Sequence, residues 1–85
     1  MNVGDTVTVN TTIGLSALNL KVNPDQPFIA YGQQLIPVTL SDTLTVLEVR
    51  KDAWDSASGR KDTMVKLLTP GGRAGWCFGG NVRTV

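Results

Sequence analysis

Apolar and polar residues alternate with a period of two along much of this chain. Val7 and Val9 alternate with Thr6 and Thr8, Leu18, Leu20 and Val22 alternate with Asn19 and Lys21, and Leu44, Val46 and Glu48 oppose Thr45, Leu47 and Val49. Successive side chains of an extended chain point to opposite faces, so each stretch reads as a short strand with one face turned inward. Residues 35–40 and 64–68 are further apolar runs of strand length, while Trp76 and Phe78 share one face of a strand that holds Cys77 on the other. Gly14, NPDQP, Gly32, Ser41-Asp42 and TPGG separate these runs with residues that set turn dihedrals or interrupt ladders. No window has the apolar spacing of an amphipathic helix. Strands of this length, about eight to twelve residues apart, predict an all-β small barrel of five to seven short antiparallel strands, in which closure removes exposed edges. Leu18, Leu20, Val46, Val65, Leu67 and Trp76 are its expected core.

The stretch PGGRAGWCFGG, residues 70–80, holds five of the nine glycines. Pro70 presets φ for a turn and Gly71 or Gly72 can take a positive φ, so residues 64–78 read as strand, tight turn, strand. Gly75 beside Trp76 implies close approach of a neighbouring chain, and Gly79-Gly80 a sharp bend at a barrel corner. A phosphate-binding loop fits poorly. It would need a Gly-Lys-Ser/Thr ending and a following helix, and Arg73 is the only cation here.

Charge is concentrated elsewhere. Before Asp42 only Asp5, Lys21 and Asp25 are charged, whereas RKDAWDSASGRKD, residues 50–62, mixes both signs with Ser and Gly. Lacking either periodicity, that run is expected to be a solvated hairpin loop.

With 85 residues the chain forms one domain with one core. A net charge of +1 supplies no strong field towards phosphate backbones or anionic lipid, which argues against nucleic acid and membrane partners. The lone Cys77 fits a reducing compartment, and no basic-then-apolar leader opens the sequence, so a cytoplasmic location is expected. The starting Met and the tag-free end at Val85 lead to the expectation of a complete chain.

Candidate chemistry narrows the classes further. There is no histidine, so no Cys-His or Ser-His pair can form, and Cys77 between two bulky aromatics is expected to be a buried, inert thiol. Asp52 and Asp55 lie among Arg and Lys, where solvated ion pairing outweighs acid–base work. No cofactor motif is present, and the ligands for a transition-metal or calcium site are too few. These features predict a non-enzyme with no catalytic, cofactor or metal site.

Three stretches resemble the bacterial SH3-like (SH3b) domains. LNLKVNP, residues 18–24, is similar to their first strand motif; LSDTLTVLEV, residues 40–49, to their hydrophobic strand before an exposed loop; and MVKLLTPGGRAGWCFGGNV, residues 64–82, to their closing Gly-Trp hairpin. The resemblance covers residues 17–85 of a single SH3-like domain, leaving residues 1–16 as an added N-terminal strand. It implies an SH3-like barrel and a cell-wall role, recognition of peptidoglycan. The chain departs from the pattern in two lengthened segments, FIAYGQQLIPVTL and DSASGRKDT, and in Asp42, which stands where the family has a turn glycine.

A binding role remains. Trp54 is a large apolar group among polar residues, and Tyr31 joins an apolar ring to a hydroxyl tip, both types favoured at interfaces. The expected partner-binding residues are Trp54 and Tyr31, with Arg50, Lys51, Arg60 and Lys61 as a cationic rim. A protein or peptide partner ranks first, for a stand-alone module of the kind phages and mobile elements encode. Peptidoglycan, a structural or virion subunit that self-assembles through an exposed strand edge, and nucleic acid follow.

Overall fold

A computed structural model describes residues 1–23, 35–55 and 59–85. They form strands β1 (Thr6–Val9), β2 (Ala17–Lys21), β3 (Leu35–Thr39), β4 (Leu44–Asp55), β5 (Arg60–Leu68), β6 (Ala74–Phe78) and β7 (Val82–Thr84), with short 3-10 turns at Thr11–Ile13 and Gly79–Asn81. All pairings are antiparallel, in one sheet of order β3-β2-β6-β5-β4-β1-β7 that curls into a half-barrel. The expected all-β class and strand number are therefore met. Two strands exceed the expected length: β4 has 12 residues and β5 has 9.

Every strand contributes to the core on the inner, concave face. Val7 and Val9 of β1, Leu20 of β2, Ile36 and Val38 of β3, Leu44 and Val46 of β4, Val65 and Leu67 of β5, Cys77 of β6 and Val82 of β7 pack into one cluster. Burying an aliphatic side chain of this size contributes about 1.5–3 kcal/mol, against about 0–1 kcal/mol for an exposed ion pair. The cluster therefore dominates the fold's stability. The residues before β2 are no appendage, because Val7 and Val9 are fully buried and β1 bridges β4 and β7.

The phase of β4 differs from simple alternation. Val46 pairs with Leu67 but Glu48 with Lys66, and Arg50 pairs with Met64 but Ala53 with Asp62, so β4 carries an extra residue at each of two bulges. The first bulge turns Val49 inward and Glu48 outward. The second passes through Asp52, whose φ of 57° is left-handed; Asp is among the few side chains that tolerate it. The expected loop over residues 50–62 is thus corrected: strand runs to Asp55 and resumes at Arg60. Its polar composition on both faces reflects a ribbon that projects beyond the core.

Trp76 also requires a correction. It is buried, but alternation on β6 gives Gly75 and Cys77 to the core and sets Trp76 on the outer face. A row of paired positions crosses that face, Glu48–Lys66–Trp76–Lys21, beside a second row, Arg50–Met64–Phe78. The Arg50 guanidinium carbon lies 4.9 Å from the Trp76 ring centroid, and Lys21 Nζ lies 5.7 Å from that of Phe78, both within cation–π range. Met64, Trp76 and Lys21 are each at most 4% exposed, so the centre of the sheet is buried on both faces.

Gly75 is required by packing. A Cβ there would stand 2.6 Å from Leu20 Cβ and 3.2 Å from Ile36 Cδ1, so β2 crosses β6 too closely for any side chain. The β5–β6 turn begins at Pro70, with Gly72 at φ 84° and Thr69 N–H donating to Arg73 O at 2.8 Å. Its loop is the three residues 70–72.

Among the described residues, β3 and β7 are the edges of the half-barrel. Leu40 N–H donates to Ser16 O, which, with the β2–β3 register and the alternation of an antiparallel ladder, aims the N–H positions of residues 35, 37 and 39 away from β2. Position 37 is proline and has no N–H. Thr39 N–H is taken by Asp42 Oδ2 at 2.9 Å. The residue that departs from the SH3b pattern thus caps the open edge.

Candidate functional site

Past Val49 the inner face of the β4–β5 ribbon leaves the core and meets solvent. Alternation on β5, which has no bulge, continues the inward series Leu67, Val65, Thr63, Lys61, and Lys61 pairs with Trp54. Trp54 is consequently on the inner face beside Lys61, 63% exposed although it lies within a strand. Lys51 and Thr63 border a depression of about 600 Å³ on the same face, whose apolar wall is Met1, Val3 and Val49.

A local turn builds that wall. Asp5 N–H donates to Asn2 O at 3.0 Å, Asn2 N–H donates back to Asp5 Oδ2 at 2.8 Å, and Gly4 supplies the φ of 92° that the turn's third position needs. Gly4 N–H then bonds to Val46 O at 2.8 Å, tying the turn to β4. Val3 is left 66% exposed and Met1 41%.

The expected site residues are only partly assembled. Trp54, Lys51 and Lys61 share the inner face. Arg50 lies on the opposite face, over the Trp76 ring, because the bulge at Asp52 separates its phase from that of Trp54. Tyr31 and the Arg60 side chain lie outside the described residues, as does Phe28. Met1, Val3, Val49 and Thr63 were not anticipated. Only Val49 carried a signal, its strand periodicity, and the unforeseen first bulge inverted its phase.

Other chemical groups lie apart from this face. Cys77 is buried in the core, and burial pushes its thiol from 9.0 up to about 12; the thiolate that nucleophilic chemistry needs is disfavoured there. Among the described residues no three His, Cys, Asp or Glu side chains converge, and no helix is long and apolar enough to cross a membrane. A second depression, of about 450 Å³, lies along β2 and β3, where Leu18, Pro37 and Val38 meet Asn19, Thr39 and Asn81. In comparison with known proteins, no family model, no curated protein and no solved structure matches this chain.

Proposed function

We propose that this domain is a non-enzymatic binding module that recognises a protein partner in the cytoplasm through the inner face of its β4–β5 hairpin. The observation that carries this reading is the exposure of Trp54 on a paired strand. A tryptophan exposed to water supplies a large apolar area at low conformational-entropy cost, since its side chain has only two torsions, the property of residues that dominate interfaces. Lys51 and Lys61 beside it orient a partner and speed its encounter.

A second reading, a cell-wall ligand in line with the SH3b resemblance, draws support from the depression along β2 and β3, whose described lining residues carry no charge. Uncharged amide and hydroxyl groups over an apolar floor suit neutral polar ligands. Self-assembly by strand addition at β3 is disfavoured, since Pro37 and the Asp42 cap remove two of its three outward donors.

Affinity capture with the parent domain and with Trp54→Ala, followed by identification of the bound material, tests the reading. The expected outcome is a protein retained by the parent and lost, by about 2 kcal/mol or more of binding, in the variant. Equal retention by both refutes it, and recovery of peptidoglycan fragments by both supports the second reading.

A further inference from the structure

We propose that the hairpin face takes an acidic segment of its partner, with an apolar side chain seated against Met1, Val3 and Val49 and carboxylates paired with Lys51 and Lys61. This rests on the preceding reading of the Trp54 face and names the chemistry of what binds there.

The charges on this face have one dominant sign. Lys51 and Lys61 are both exposed on it, whereas Glu48 and Asp62 fall on the outer face by register, and Asp62 Oδ1 accepts from Thr63 N–H at 2.8 Å. Asp52 sits between them in the bulge. A carboxylate-bearing segment therefore meets two ammonium groups on the face that also carries Trp54. Lysine ammonium pairs with carboxylates as a flexible point charge, so the pairing asks for acidic residues without fixing their geometry.

The depression selects between acidic partners. Its lining sets Met1, Val3 and Val49 beside Asn2, Lys51 and Thr63, so it offers methyl and thioether surface to an aliphatic side chain, a group that a phosphodiester backbone does not carry. A single-strand nucleic-acid channel combines aromatic platforms with a continuous positive groove. Here the described side-chain cations of the face are Lys51 and Lys61, with a carboxylate at Asp52 and a net charge of +1 for the whole chain. A peptide that alternates acids with one aliphatic residue uses both halves of the site.

The test uses the full chain labelled with ¹⁵N and four probes: a short peptide of Glu and Asp flanking one Leu, the same peptide with Leu replaced by Ser, its counterpart with Lys in place of the acids, and oligothymidylate. The acidic Leu peptide is expected to shift the amides of Lys51, Lys61 and Thr63 and the Trp54 indole saturably. It should bind roughly tenfold or more weakly to Lys51→Glu/Lys61→Glu, and weaken at high salt. Replacing Leu by Ser should also weaken it. Lys51→Gln/Lys61→Gln serves as a second variant should the charge reversal disturb folding.

Absence of saturable binding up to millimolar acidic peptide overturns the proposal. Equal binding of the Lys peptide, tighter binding of oligothymidylate, or shifts confined to another face do so as well. Partner capture separates the two layers. Capture that is indifferent to Trp54→Ala removes the binding face itself, whereas capture that needs Trp54 but ignores reversal of both lysines removes only the acidic-segment assignment.

Discussion

Trp76 on β6 and Trp54 on β4 belong to strands separated by β5 alone, yet Trp76 is 4% exposed and Trp54 63%. Around Trp76 the sheet is buried on both faces: Cys77 and Gly75 face the core, and Arg50, Lys66 and Lys21 surround the ring on the outer side. Around Trp54 the same ribbon has run past the last core pair, Val49 and Val65. Residue type did not decide these fates. Position relative to the core did, which is why one tryptophan is packed into the domain and the other stands in solvent.

The largest effect should come from Trp76→Ala. Removing that ring is expected to cost about 3–5 kcal/mol, a large share of a small domain's stability. An unchanged melting temperature would erase the contrast between the two regions.

On the other side of the same strand, Cys77 should impose a pH dependence. Its folded value of about 12 exceeds the ordinary 9.0, so the native state keeps a proton that the unfolded chain releases. That stabilisation is fully present below pH 9 and is lost as pH rises towards 12, amounting at most to roughly 4 kcal/mol. Denaturant titrations of the parent and Cys77→Ala across that range should show the steeper alkaline decline only in the parent. Parallel declines would mean that the thiol is not shielded.

Gly75→Ala sharpens the comparison by crowding the buried region without removing anything. With its Cβ 2.6 Å from Leu20 Cβ, a loss of about 1–3 kcal/mol is expected. A neutral result in chemical denaturation would show that β2 and β6 can separate at little cost.

Smallest on this scale is Trp54→Ala, expected to keep stability within about 0.5 kcal/mol of the parent, as exposed substitutions usually do. A marked fall in melting temperature would show that Trp54 packs as Trp76 does, and the proposed division would fail.

Much of the fold could be read from the chain because alternation registers where a strand has one dry face. Val7 and Val9 of β1 and Leu44 and Val46 of β4 behave so. The reading failed where geometry adds a residue or where both faces are wet. The bulge between Val46 and Glu48 inverts the phase of Val49, and no local residue announces it. Residues 50–55 and 60–62 look like loop because a ribbon outside the core need not be apolar on either side. Trp54 and its two lysines were visible as a cluster in sequence, but their division from Arg50 depends on the second bulge. The lining by Met1, Val3 and Thr63 is a tertiary juxtaposition, with sixty residues of sequence between the two sides of the depression.

One continuous strand, β5, joins the core to the hairpin tip, and this gives the domain a gradient of motion along a single element. Amides near Val65 and Leu67, flanked by β4 and β6, open only when the whole domain opens, whereas those at Lys61 and Asp62 sit in a two-stranded ribbon that frays far more cheaply. Hydrogen exchange should therefore slow by successive steps from residue 61 to residue 67. The tip can fluctuate, accept different contacts and change in sequence while the core beneath it stays packed.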